Sequence, residues 1–487
     1  MWLQIPIDWN SYNKKENFLS KFILSLVFIF LTCLYYFIHL RTGISSDSTT
    51  MLPAVRDIIN GNVFLKDWVV GTNNFYFSDN IFYLIGFLLG FSSQQTIDWI
   101  PAIMFSVLSV LLLIGSLNKI SSFKRRIIFG ILILCTLIMA CASAGYTLLN
   151  PNSHNNVYIF IIGLLFCYHK SLTKNSYWAG VIFFIVSILL TFSESFLLMA
   201  FTVPFLMLCL KDIIISKKQG AVFYLFFTVV STILGKLFIF YLNTHGYLLT
   251  KGIPVHFSPV NQYLIRFKLF LEQMGILYGY SPVKDFDSTI NDFFIGFLVF
   301  VAILSFLYSI IKFREIDSVE SFCSYVIIIN FIFVIVTDVD VFHRYMVPMY
   351  LASVVLSVRI FFNVLNQCCW NKKTVIGAIA IGALFLFNTG NIIFHTMEKP
   401  VFGNSEKNVV EFIAKNIGGS GYGAFWQSSV VSYYSDFKTP IYPVLIGRDA
   451  EFITPYSMLV KKQWYVEKNK HLKLQYEIEH FLNPLTS

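Results

Sequence analysis

The chain has 487 residues, of which 56% are hydrophobic and only 13% charged, and its mean hydropathy is +0.66. A soluble domain carries roughly a quarter charged residues, so this balance excludes one; continuous apolar runs in place of short alternating segments exclude a membrane β-barrel. The net charge of +9 does not imply nucleic acid, because many of the basic residues fall in short loops where they set membrane topology.

In chain order, residues 1–20 are polar, lack a small-residue cleavage site and lead into a full-length apolar segment, so no cleavable signal is expected. Spans are predicted at residues 21–40, 99–117, 127–148, 157–168, 177–192, 195–210, 221–242, 292–311, 321–337, 346–364 and 374–395. The apolar run Ile81–Phe91 is too short to cross and reads as an interfacial or re-entrant segment. Counting it as a span would put Lys119, Lys124, Arg125 and Arg126 outside. Leaving it out gathers these with Lys14/Lys15, Lys170/Lys174, Lys211/Lys217/Lys218, Lys312/Arg314 and Lys372/Lys373 on the inner side. The reading is an all-α polytopic membrane protein of about eleven crossings, N-terminus inside and C-terminus outside.

Residues 1–395 form the transmembrane domain on this reading, with three large outer regions in the whole chain. Residues 41–98 hold a predicted surface helix over Met51–Asn60, then Gly61-Asn62 and an aromatic stretch through Phe77. Residues 243–291 are rich in Tyr, Phe and Lys. Residues 396–487 return to soluble charge levels and suggest a small α/β domain. Its helix is expected around Val409–Ile417, ended by Gly418-Gly419, and its strands at Val430–Tyr434 and Ile441–Ile446. The eight cysteines lie in or beside apolar spans and form no CxxC pattern, so they read as buried thiols.

This topology puts the chemically interesting side chains on the outer face, while the inner loops hold little beyond topogenic lysines and arginines. Asp47, flanked by serines just past the first span, suits either a helix cap or a general base. Asp79 either caps the segment from Ile81 or orients an acceptor. His154, in the turn Asn150-Pro151-Asn152-Ser153-His154-Asn155-Asn156, is either solvated or bonded to a sugar hydroxyl or phosphate. Glu194 occupies a tight turn between spans, where facing lipid is expensive. In Asp338-Val339-Asp340-Val341-Phe342-His343-Arg344-Tyr345, Arg344 departs from the positive-inside trend. It either pairs locally or clamps a phosphate diester. Asp338 and Asp340 are the candidates for a divalent cation, a weak signal without further carboxylates. Trp68 and Trp426 are either interface anchors or stacking platforms for a sugar.

A first span followed by a long outer loop with early Asp47, surface helices through Asp57-Ile58-Ile59 and Ser78-Asp79-Asn80, and many spans before an outer tail resembles the GT-C superfamily of integral-membrane glycosyltransferases. The tail, with Gly421–Trp426 and Gln463-Trp464-Tyr465, is more loosely similar to those of bacterial and phage O-antigen glucosyltransferases. The resemblance implies an inverting enzyme of the bacterial inner membrane, cytoplasmic at its N-terminus and periplasmic at its C-terminal domain. Its donor would be an undecaprenyl-phosphate hexose and its acceptor a lipopolysaccharide or O-antigen-type glycan. Asp47 would be the base, His343 and Arg344 would meet the donor phosphate, and Asp79, His154, Glu194, Trp68 and Trp426 would contact the acceptor. The rival classes are an O-antigen polymerase or ligase, which leans on outer-loop arginines, and a lipid-linked glycan transporter or flippase, which places charges at mid-membrane.

Overall fold

The computed structural model describes residues 14–42, 46–71, 73–118, 120, 123–150, 154–174, 176–250, 255–280, 288–367, 372–399, 401, 421–424, 432–433, 441–446, 453–455 and 460–461. Every expected span carries a helix. They are α1 (Lys14–Thr42), α4 (Ser93–Leu117), α5 (Phe123–Leu148), α6 (Asn155–Lys174), α7 (Tyr177–Ser193), α8 (Val203–Ile214, led in by a π-helical turn, Leu198–Thr202), α9 (Gly220–Thr244), α11 (Ser288–Ile311), α12 (Ser318–Val336), α13 (Val347–Gln367) and α14 (Lys372–Glu398). Among the described residues seven helices are long and apolar enough to cross a membrane, so the chain is a multi-pass α-helical membrane protein.

The first large loop holds α2 (Ser46–Ile59), strand β1 (Trp68–Val70), a π-helical turn (Tyr76–Asn80) and α3 (Ile81–Leu88). At eight residues α3 rises only about 12 Å, too little to span, and it packs back on α4 through Gly86, whose absent Cβ leaves room for Thr96 and Ile100. The second loop contains a helix the sequence reading did not anticipate, α10 (Tyr263–Leu277). Arg266, Lys268 and Glu272 interrupt its apolar pattern, and it is anchored by the buried Arg266 donating to the carbonyls of Val334 and Val339.

Strands draw the three large polar regions onto one face. β1 runs parallel to β2 (Leu249–Thr250) and antiparallel to β6 (Val460–Lys461). A second mixed sheet in the tail orders β3 (Gly421–Ala424), β4 (Ile441–Ile446) and β5 (Ile453–Pro455), with β3 parallel and β5 antiparallel to β4. Ile441–Ile446 is a strand as expected. Of Val430–Tyr434 the described residues, Ser432 and Tyr433, are helical instead. Tyr433 is buried with Leu52, Val55, Tyr83 and Ile97 of the first loop, a packing demand that the local alternation does not reveal. The helix expected at Val409–Ile417 lies outside the described residues.

Candidate functional site

The loop-face ends of α6 and α7 and the π-helical turn bring together three side chains that sequence reading placed only on the same side. A polar zipper joins the turn to the end of α7. Asn74 donates to the Phe192 carbonyl (2.8 Å), the Phe77 N–H donates to Ser193 Oγ (2.8 Å), and the Ser195 N–H donates to Asn73 Oδ1 (2.7 Å). This sets Ser78 and Asp79 against Glu194. Two residues of the site, Phe75 at φ 52° and His154 at φ 63°, sit in the left-handed region that non-glycine residues rarely adopt. Such strain persists where the surroundings over-determine it, often at functional sites.

Ser78 Oγ lies 2.9 Å from Asp79 Oδ2 and 2.6 Å from Glu194 Oε1. A hydroxyl has a single hydrogen to give, so both contacts are hydrogen bonds only if one carboxyl is itself protonated. With Ser78 donating to Glu194, the proton sits on Asp79, which donates to Ser78. Burial, and after it the charge of Glu194, push Asp79 up from the usual carboxylate range to about 7, with Ser78, His154 and Asn156 pulling the other way. Asn156 Nδ2 donates to Asp79 Oδ1 (2.7 Å), and His154 Nδ1 lies 2.8 Å from Glu194 Oε2. The result is a continuous chain, Asp79–Ser78–Glu194–His154, with the imidazole held between the rings of Phe75 and Phe196 at centroid distances of 5.2 and 5.0 Å.

Phe196 also meets Tyr345, and the Arg344 guanidinium lies 4.9 Å from the Tyr345 ring while its Nη2 donates to the Tyr345 hydroxyl (3.0 Å). Arg344 makes no ion pair among the described residues, and its buried Nε has no partner. His343 has a different place from the one expected. Both ring nitrogens are used inside the protein, Nε2 with Thr147 and Nδ1 with Gln273, so it braces the turn that carries Arg344 and offers no free edge to a phosphate.

The other expected residues separate. Asp47 begins α2 but its side chain lies outside the described residues, as does Trp426. Trp68 is 2% exposed and donates its indole N–H to Asp57 (2.8 Å), which makes it a core residue with no face for a sugar to stack on. Asp338 accepts the His256 N–H (2.8 Å), and among the described residues no group of three His, Cys, Asp or Glu side chains converges as a metal site would require. Asp79 borders a void of about 10 Å³, far smaller than a sugar.

Sequence reasoning missed Ser78 and Asn156, although Asn156 stands two residues from His154 in the same polar turn. It also missed a second charged cluster at the opposite face, taken for simple topogenic loops. Arg359, inside α13 and 2% exposed, pairs with Asp317 and Glu320 and donates to Gly115 O (2.7 Å) and Asn118 (2.6 Å). Lys218 pairs with Asp212 (3.0 Å), which also accepts from Tyr168 (2.7 Å). Lys211 is buried on the Ile316 carbonyl (2.8 Å) and Ser321.

No protein-family model matches the chain, and no curated protein matches it.

Proposed function

We propose that this protein is an inverting membrane glycosyltransferase, moving a hexose from a polyprenyl-phosphate carrier to a lipopolysaccharide or O-antigen-type glycan on the side of its large loops. The observation that carries this reading is the Asp79–Ser78–Glu194–His154 chain, linked to Arg344 through the rings of Phe196 and Tyr345. A carboxylate on Nδ1 orients the imidazole and makes Nε2 the basic atom, the arrangement of a general base. In the transfer the acceptor hydroxyl loses its proton as its oxygen bonds the anomeric carbon. The bond from that carbon to the phosphate oxygen breaks, and the departing polyprenyl phosphate carries away the electron pair. Arg344, with unused donors, is suited to that developing charge. His154 takes the acceptor proton, and Asp79 and Ser78 hold the Glu194 charge in place. Asp47 is the base that family resemblance implies, and it competes with His154 for this role.

A transporter of lipid-linked glycans is the second reading, favoured by a titratable buried pair and a large cavity on the other side of the membrane. Glycan mass in cells with and without the gene separates the classes. The transferase reading expects one added hexose. A changed chain length supports a polymerase, and lipid-linked intermediates accumulating inside support a flippase; either overturns the transferase.

A further inference from the structure

A cavity of about 790 Å³ belongs to the face opposite the large loops. Its mouth lies among helix ends on that face, at Asn118, Thr173, Ser216 and Asp317. Its wall on α6 runs from Thr173 up to Tyr158, about 22 Å along the helix axis. The shaft between is apolar, lined by Leu112, Ile161, Leu165, Val326, Leu351 and Val355. The Tyr158 hydroxyl is buried without a partner and marks the deep end.

The chemistry of the mouth selects the head group. Its carboxylates are already used by the protein: Asp212 accepts from Tyr168, Ser216, Ser318 and Lys218, and Asp317 takes Arg359 and the Glu320 N–H that starts α12. Lys218, by contrast, spends two of its three donors, on Asp212 and Ser318, and its side chain is 40% exposed. His169 lines the same rim. Spent acceptors beside a cation with a donor to spare complement an anion, and a narrow apolar shaft complements one hydrocarbon chain.

We propose that this cavity binds a phosphate-headed, single-chain lipid drawn from the leaflet opposite the large loops, with its chain in the shaft and its phosphate at Lys218 and His169. The site is separate from the Asp79–Glu194 chain and does not depend on the transferase reading. Free polyprenyl phosphate and a lysophospholipid share this chemistry.

The test is thermal unfolding of the full-length protein in detergent with farnesyl phosphate, dodecyl phosphate, a lysophosphatidic acid, or farnesol as the probe lacking phosphate. The phosphate probes are expected to raise Tm by several degrees and farnesol by much less. An isoprenoid source is indicated by farnesyl phosphate outperforming dodecyl phosphate, an acyl source by the lysophosphatidic acid doing so. Ala352→Phe, which fills the shaft, is expected to abolish the shift, and Lys218→Gln, at the half-exposed rim, to weaken binding about tenfold, the cost of one charge-assisted hydrogen bond. Should Ala352→Phe fail to fold, Lys218→Gln carries the same decision. No shift with any phosphate probe, equal shifts with farnesol, or full shifts in the variants overturns the proposal.

Discussion

At the residue scale, Asp79 is a buried carboxyl whose protonation is coupled to folding. Its folded-state pKa is raised from the ordinary carboxylate value of 3.8 to about 7, so between those values the folded form binds more protons than the unfolded form. Its contribution to stability is therefore fully present below the unfolded pKa and is lost as the pH rises through about 7. Thermal unfolding followed from about pH 4 to 8 should show the Tm of Asp79→Asn, which keeps the Asn156 contact, falling less or rising more with pH than that of the wild type; His343, whose pKa burial lowers to about 4, contributes the opposite slope equally in both proteins. An unchanged slope would remove Asp79 from the account. Ser78→Ala leaves Asp79 and Glu194 adjacent with no hydroxyl between them and should cost about 1–3 kcal/mol, read by denaturant or thermal melts.

Asp79, His154 and Glu194 were legible as a set only to the extent that topology put them on one face. Their contact depends on Asn73 and Asn74 on one side and Ser193 on the other, short-range polar groups more than a hundred positions apart in the chain. No periodicity encodes such a pairing. Trp68 misled for the converse reason: an aromatic residue in a polar loop looks available, and only the tertiary structure discloses that Asp57 takes its N–H and that the ring is buried.

At the element scale, helix starts and close approaches carry the specificity. α4 begins with a capping box in which Ser92 Oγ accepts the Gln95 N–H and the Gln95 side chain accepts the Ser92 N–H. α12 begins the same way with Asp317 and Glu320. Ser92→Ala should cost about 1 kcal/mol, the usual loss of a cap. Asp317→Ala removes a cap and also one partner of the buried Arg359, which keeps Glu320, and should cost about 2–3 kcal/mol. Comparing the two unfolding midpoints tests whether the Arg359 cluster is structural. Between α7 and α9 the spacing is set by Gly235, where a Cβ would fall 2.8 Å from Thr191 Cβ and 3.0 Å from both the Ile188 carbonyl and the Phe192 N–H. Two of these are backbone atoms, so Gly235→Ala must push the helices apart, at about 1–3 kcal/mol. Apolar length made the long helices and the shortness of α3 readable in the sequence. It did not reveal α10, whose charges mimic a surface loop until Arg266 is seen buried on backbone carbonyls.

For the whole molecule, the β2-β1-β6 sheet ties loops separated by some 390 residues onto one face, and the charged cluster around Arg359 closes the other. Single cysteines placed at Asn62 and at Thr244 should react with a membrane-impermeant thiol reagent from the same side, and cysteines at Lys217 and Glu315 from the opposite side. Any other partition breaks the topology. The sequence reading treated the second face as a set of positive-inside signals. Its cations are also half of an ion-pair network: Asp212 pairs with Lys218 just past the end of α8, while Asp317 and Glu320, at the start of α12, reach Arg359 of α13 across about 40 positions of chain.

Glycosyl transfer served by the proton chain at the loop face is the central proposal. The most direct measurement is the mass of the cell-surface glycan in a deletion strain complemented with wild type, with Glu194→Gln, or with Glu315→Gln as a control at the opposite face, at matched protein levels in the membrane. Wild type and Glu315→Gln should each restore one hexose per acceptor, and Glu194→Gln should restore less than about a hundredth of it, the scale of losing the general base that Glu194 orients. Full restoration by Glu194→Gln, or no hexose difference between the deletion strain and wild type, would contradict it.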